Sequence, residues 1–72
     1  MQKVFKNSSQ ILSSNYNEKT KLLVVTFHSG GSYRYSDVPK DVADKWYNLP
    51  TEVSAGKWFN ENIKGKYTTN RL

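Results

Sequence analysis

The sequence predicts one small α+β domain: a three-stranded antiparallel β-meander followed by two helices packed on one face, in the order β-β-β-α-α. Three observations lead there. Three runs with strand character come first, separated by short polar or glycine-bearing links. Two stretches with apolar residues at helical spacing follow, bracketed by proline, serine and glycine. Strands gathered before helices, with hairpin-length links, make an antiparallel sheet with helices set on it rather than an alternating α/β fold.

The strand candidates are residues 11–16, 22–28 and 32–36. The middle one is the strongest, because Leu22, Leu23, Val24, Val25, Thr26 and Phe27 are the side-chain types that suit a pleated surface. Residues 17–20 link the first pair, and Ser29-Gly30-Gly31 links the second. A two-residue Gly30-Gly31 turn sets Phe27 opposite Arg34. A three-residue loop with Gly31 left-handed sets Phe27 opposite Tyr33 and Val25 opposite Tyr35. The second register is preferred because side chains alternate faces and it yields one coherent apolar face. That face holds Leu12, Tyr16, Leu23, Val25, Phe27, Tyr33 and Tyr35, with Tyr16 paired to Lys21 and Leu12 to Val25. Ile11, Leu22, Val24, His28 and Arg34 fall on the other, mixed face.

For the first helix, Pro39 suits an initial helical position, and Val38, Val42, Trp46 and Leu49 recur at spacings of four, four and three. Asp37 and Asp41 lie near its positive N-terminal end, and Pro50 helps stop it. The second helix starts near Ser54, a suitable N-cap. Ala55, Phe59 and Ile63 line it, and Gly65 marks its C-terminus beside Lys64 and Lys66.

With 72 residues the chain is one domain and buries only about 60% of its unfolded surface. Three Phe, two Trp and five Tyr must supply much of the core. Residues 1–9 are expected to be a flexible N-terminal arm or a short edge element, and residues 10–72 the domain. Absence of cysteine excludes disulfides and thiolate metal sites. No apolar run approaches the roughly 20 residues of a membrane span, and the N-terminal stretch lacks a signal-peptide core. The expectation is a cytoplasmic protein, a monomer or weak homodimer, with no membrane partner and no cofactor.

The formal net charge is +5. From Ser54 onward, Lys57, Lys64, Lys66 and Arg71 stand against Glu61 alone. Between Asp37 and Glu52, Lys40 and Lys45 stand against Asp37, Asp41, Asp44 and Glu52. A basic end beside an acidic middle suits a polyanion at one end and leaves room for a protein partner.

The order of several short segments resembles a known family. They are Leu23-x-Val25-x-Phe27, Ser29-Gly30-Gly31, Tyr33-Arg34-Tyr35, Asp37-Val38-Pro39, Gly56-Lys57-Trp58-Phe59-Asn60 and Ile63-Lys64-Gly65-Lys66-Tyr67. Together they resemble the KTSC domain, found at the C-terminus of some lysyl-tRNA synthetases and as small stand-alone proteins of bacteria and phages. The likeness runs over roughly residues 8–70. It implies a stand-alone domain with no established activity, for which RNA binding has been suggested.

No arrangement of side chains supports catalysis. His28 is the sole histidine and lacks an acidic or cysteine partner nearby in sequence. Ser29-Gly30-Gly31-Ser32 joins two strands and does not open a helix as a phosphate-binding loop would. Asp37, Asp41 and Asp44 fit helix-dipole complementarity better than acid–base work. Tyr33 and Tyr35 could stack on bases, yet the preferred register sets them under the helices with Arg34 pointing away. The better nucleic-acid candidate is the C-terminal third: Lys57, Lys64, Lys66 and Arg71 supply charge, Trp58 and Tyr67 supply rings, and Arg34 adds a cation from the sheet. Glu61 dilutes a Lys57–Glu61–Lys64 stripe, Trp58 could instead pack on the sheet, and Asn60 would cap backbone groups locally. The expected function is a non-enzymatic module for RNA or single-stranded nucleic acid. The alternative is a protein-interaction module or small effector using the open sheet face.

Overall fold

The computed structural model describes residues 2–5, 8–50 and 52–72. Its elements are β1 (Gln2–Val4), β2 (Ile11–Asn17), β3 (Leu22–Phe27), β4 (Ser32–Tyr35), α1 (Lys40–Tyr47), α2 (Ala55–Asn62) and β5 (Thr69–Arg71). The strands form one antiparallel sheet in sequential order, β1 to β5.

The α+β class and the two helices are as the sequence indicates, but the sheet has five strands where three were expected. The additions are its two edges. Residues Gln2–Val4 form β1, the short edge element that was one of the two expectations for residues 1–9, and Phe5 behind them is buried. Lys6 and Asn7, also within that stretch, lie outside the described residues. Thr69–Arg71 closes the other side against β4. Both edges are three residues long and mostly polar, so backbone pairing places them and no hydrophobic alternation announces them.

The β3–β4 loop has three residues, but they are His28, Ser29 and Gly30. Phe27 donates its N–H to the Gly31 carbonyl at 2.9 Å, and Gly30 takes the left-handed conformation at φ 99°. The register therefore slides by two from the expected one: Val25 faces Tyr33 and Leu23 faces Tyr35. A shift of two keeps every side chain on its face, so the tyrosine pair still shares the covered face with Leu23, Val25 and Phe27.

The first strand departs further. Its four-residue loop is 18–21, tightened by the Asn17 side chain accepting from the Lys19 and Thr20 N–H groups, so Tyr16 faces Leu23, not Lys21. A bulge between Ile11 and Ser13 inserts Leu12 as an extra residue. It inverts the alternation at the strand's start: Ile11 is fully buried and Leu12 is 42% exposed, the reverse of the expected arrangement.

Both helices lie on one sheet face. Trp46, fully buried, donates its indole N–H to Ser14 Oγ at 2.9 Å. Its ring meets Phe5, Trp58 and Phe59 at centroid distances of 4.7, 5.6 and 5.8 Å. Val38 and Ala43 complete α1's contribution to the core, with Val42 and Leu49 packed at its margin. Tyr16 donates its hydroxyl to the Val38 carbonyl at 2.6 Å, tying β2 to the start of α1. Lys3 comes from the β1 edge and donates to the Tyr47 carbonyl at 2.8 Å, a cation at the negative end of α1. Ser54 caps α2 by accepting from the Lys57 N–H. The opposite face carries Val4, Ser13, Asn15, Leu22, Val24, Thr26, Ser32, Arg34 and Asn70, and no helix covers it.

Candidate nucleic-acid interface

Two grooves flank α2. One, of about 660 Å³, lies between the C-terminal half of α2, the β3–β4 hairpin and β5. Its floor is a ladder of rings. Tyr33 meets Phe27 edge-on at 5.7 Å, Phe27 meets Phe59 at 5.7 Å, and Phe59 meets Tyr35 at 5.3 Å. Strand alternation puts Phe27, Tyr33 and Tyr35 on the helix side, and Phe59 descends from α2 to meet them. Tyr35 and Phe59 are buried, while Phe27 and Tyr33 keep part of their surface in solvent. Burial pushes the Tyr35 hydroxyl's pKa up, and the neighbouring Tyr33 adds to the shift. Among the described residues, Lys64 is the single charged one in the lining. Arg71 pairs with Tyr33 across β4–β5, so it lies on the same face beside the groove. Lys66 is exposed in the turn that follows Lys64.

The other groove, of about 760 Å³, runs between residues 3–5 and 8–10, the α1–α2 connection and the start of α2. Among the described residues its charges are Lys3 and Lys57 with Glu52 and Glu61. It is the larger of the two spaces. The two grooves meet at a waist, sharing Ser9, Gln10 and Asn60.

The expected site residues therefore separate. Lys64 lines the aromatic groove, Arg71 lies on the same sheet face as Tyr33, and Lys66 is exposed in the turn after Lys64. Lys57 and Glu61 both line the other groove. Trp58 is partly buried, with its ring tilted against that of Trp46 on α1 at 5.6 Å. Tyr67 packs at the core margin. Arg34 is on the opposite sheet face, level with Val24 and Asn70. Asn60 is not a local backbone cap. Asn62 has that role, donating to the Trp58 carbonyl at 2.9 Å, whereas Asn60 is exposed and lines both grooves.

Sequence reasoning missed Gln10, Phe27, Phe59 and Asn60 as lining residues. A signal for part of this was present: Gly56, Asn60 and Lys64 recur at spacing four, one helical face. Among the described residues no group of three or more His, Cys, Asp or Glu side chains could hold a metal ion, and no helix is long and apolar enough to cross a membrane.

A five-stranded antiparallel sheet with two helices on one face and an aromatic groove at their border defines a small α+β domain. Residues 7–67 match the family model of the KTSC domain, and the chain belongs to that family. It is 39% identical over 64 residues to a lysine–tRNA ligase of Nostoc punctiforme, a match covering 89% of this chain but 11% of the ligase. It is 34% identical over 67 residues to an uncharacterized protein of Stutzerimonas stutzeri, covering 93% of this chain and 90% of that one. The crystal structure of a KTSC domain protein from Yersinia pestis superposes with a TM-score of 0.85 at 29% identity, covering 100% of this chain and 96% of the other.

Proposed function

We propose that this domain binds single-stranded nucleic acid along the aromatic groove, with Lys64, Lys66 and Arg71 meeting the phosphates. The observation that carries this reading is the pairing of an aromatic floor, half-exposed at Phe27 and Tyr33, with a lining whose one charge among the described residues is Lys64. Single strands are held by base–aromatic stacking plus backbone attraction, and this border supplies both. The lysine–tRNA ligase relative is named for a substrate that is an RNA, and the segment it shares with this chain supports the same reading.

The test is fluorescence anisotropy with labelled RNA and DNA single strands and duplexes across a salt series. Three phosphate contacts on a single strand give a slope of about −2 for log affinity against log salt. Lys64→Glu with Lys66→Glu should cut affinity at least tenfold, about 1.4 kcal/mol, and leave the melting temperature within a few degrees. Undiminished binding by that double variant removes the proposal.

One observation favours a protein partner on the uncovered sheet face as a second reading. Arg34 Nε there is buried without a hydrogen-bond partner among the described residues, amid Leu22, Val24 and Thr26. An acidic side chain from a partner would satisfy it. Arg34→Ala separates the two readings, because it should leave nucleic-acid binding intact.

A further inference from the structure

The waist between the grooves brings together two primary amides. Gln10 is fixed through its backbone: its N–H donates to Ser8 Oγ, and its carbonyl accepts from the His28 N–H at 2.9 Å. Its side chain lies against Gly56, a buried glycine in the first turn of α2. A Cβ at Gly56 would collide with the Gln10 amide oxygen and reach its amide carbon at 3.1 Å. The glycine is thus what lets this side chain lie on the helix. Asn60 stands one turn further along the same helix face, with neighbouring Cβ positions about 5–6 Å apart at that spacing. Neither amide makes a side-chain hydrogen bond within the described residues, in contrast to Asn17, Asn48 and Asn62, whose amides all serve the backbone.

We infer that this waist is a base-reading subsite that selects adenine, with the Gln10 and Asn60 amides on the base edge and the Phe27–Tyr33 ledge beneath its ring. The inference rests on the nucleic-acid reading of the same groove. A carboxamide offers one donor beside one acceptor; cytosine presents the complement on one edge, N4/N3, whereas adenine presents it on two, N6/N7 and N6/N1, so a pair of amides favours adenine. A purine also covers more of an aromatic floor than a pyrimidine does. Lys64, a further turn beyond Asn60 in the same groove, is placed for the phosphate of that nucleotide.

The experiment titrates the full chain with ten-residue oligo(A), oligo(U) and oligo(C) RNAs by anisotropy. Oligo(A) is expected to bind about tenfold more tightly than the other two. Asn60→Ala should remove most of that preference and, being neutral, keep the salt slope. Gly56→Ala should do the same by displacing Gln10, and Gln10→Ala serves if that variant fails to fold by circular dichroism. Equal affinity for the three oligomers, preference for a pyrimidine, or a preference that survives both Asn60→Ala and Gln10→Ala overturns the subsite while the broader binding reading stands. Failure of all three oligomers to bind overturns both.

Discussion

The two faces of the sheet are built by the same alternation and have opposite fates. On the helix side Tyr16, Leu23, Val25 and Tyr35 sit beneath Trp46 and Phe59, each no more than 4% exposed. On the other side Leu22, Val24, Thr26 and Arg34 are shielded only by one another and remain half-buried. The difference shows where a chain this small puts its resources. One face receives nearly all the aromatic area and fixes the fold. The other has a lone cation among short neutral side chains, so its changes should be cheap. The groove lies where the covered face runs out of helix, so its ring floor belongs to the core while its rim is wet.

The sharpest way to break that contrast is Trp46→Ala. It removes a fully buried ring together with the indole bond to Ser14, at a cost of about 3–5 kcal/mol. That is a large part of the stability of a domain of this size, and urea unfolding should show it. A loss below about 1 kcal/mol would mean that the covered face does not carry the fold.

Alkaline pH should act next, through the buried tyrosines. Burial raises the pKa of the Tyr16, Tyr35 and Tyr47 hydroxyls. Between the ordinary tyrosine value near 10 and the raised native values, the unfolded chain therefore holds fewer protons than the native one. The stability from these groups is complete below pH of about 10 and falls as pH rises through the native values. Thermal melts from pH 8 to 11 should show that decline, and Tyr16→Phe should flatten it. An unchanged pH profile in that variant would place the titration elsewhere.

The smallest expected effect is on the open face. Arg34→Ala should move stability by no more than about 0.5 kcal/mol, because its Nε has no partner to lose among the described residues. A cost above about 2 kcal/mol would show that its aliphatic stem packs the open face as a second core.

Much of this was legible in the chain. The Ser54 cap, the Ala55–Phe59–Ile63 stripe and the placing of Tyr33 and Tyr35 under the helices all follow from local pattern. The tyrosine prediction survived a register error because the error was even. At Leu12 the same reasoning failed: a single inserted residue exchanges faces, and Ile11 and Leu12 are equally apolar, so the pattern held no warning. The candidate site was legible only in its charges. Lys64, Lys66 and Arg71 could be singled out, but their aromatic partners come from β3, β4 and α2, and Gln10 from a loop before β2.

Alternation, capping and helical spacing are contacts between near neighbours, and what they govern can be read from local pattern: the α+β class, the three central strands, both helices and their inward faces. The pairing of the two edge strands, the bulge at Leu12, the division of Lys57 and Lys64 between two grooves and the packing of Gln10 on Gly56 come from the folded chain alone. Each of these depends on backbone pairing or on close approach between segments far apart in the chain. The energies involved come from filling shared space and satisfying distant hydrogen bonds, and no local window of residues contains both partners.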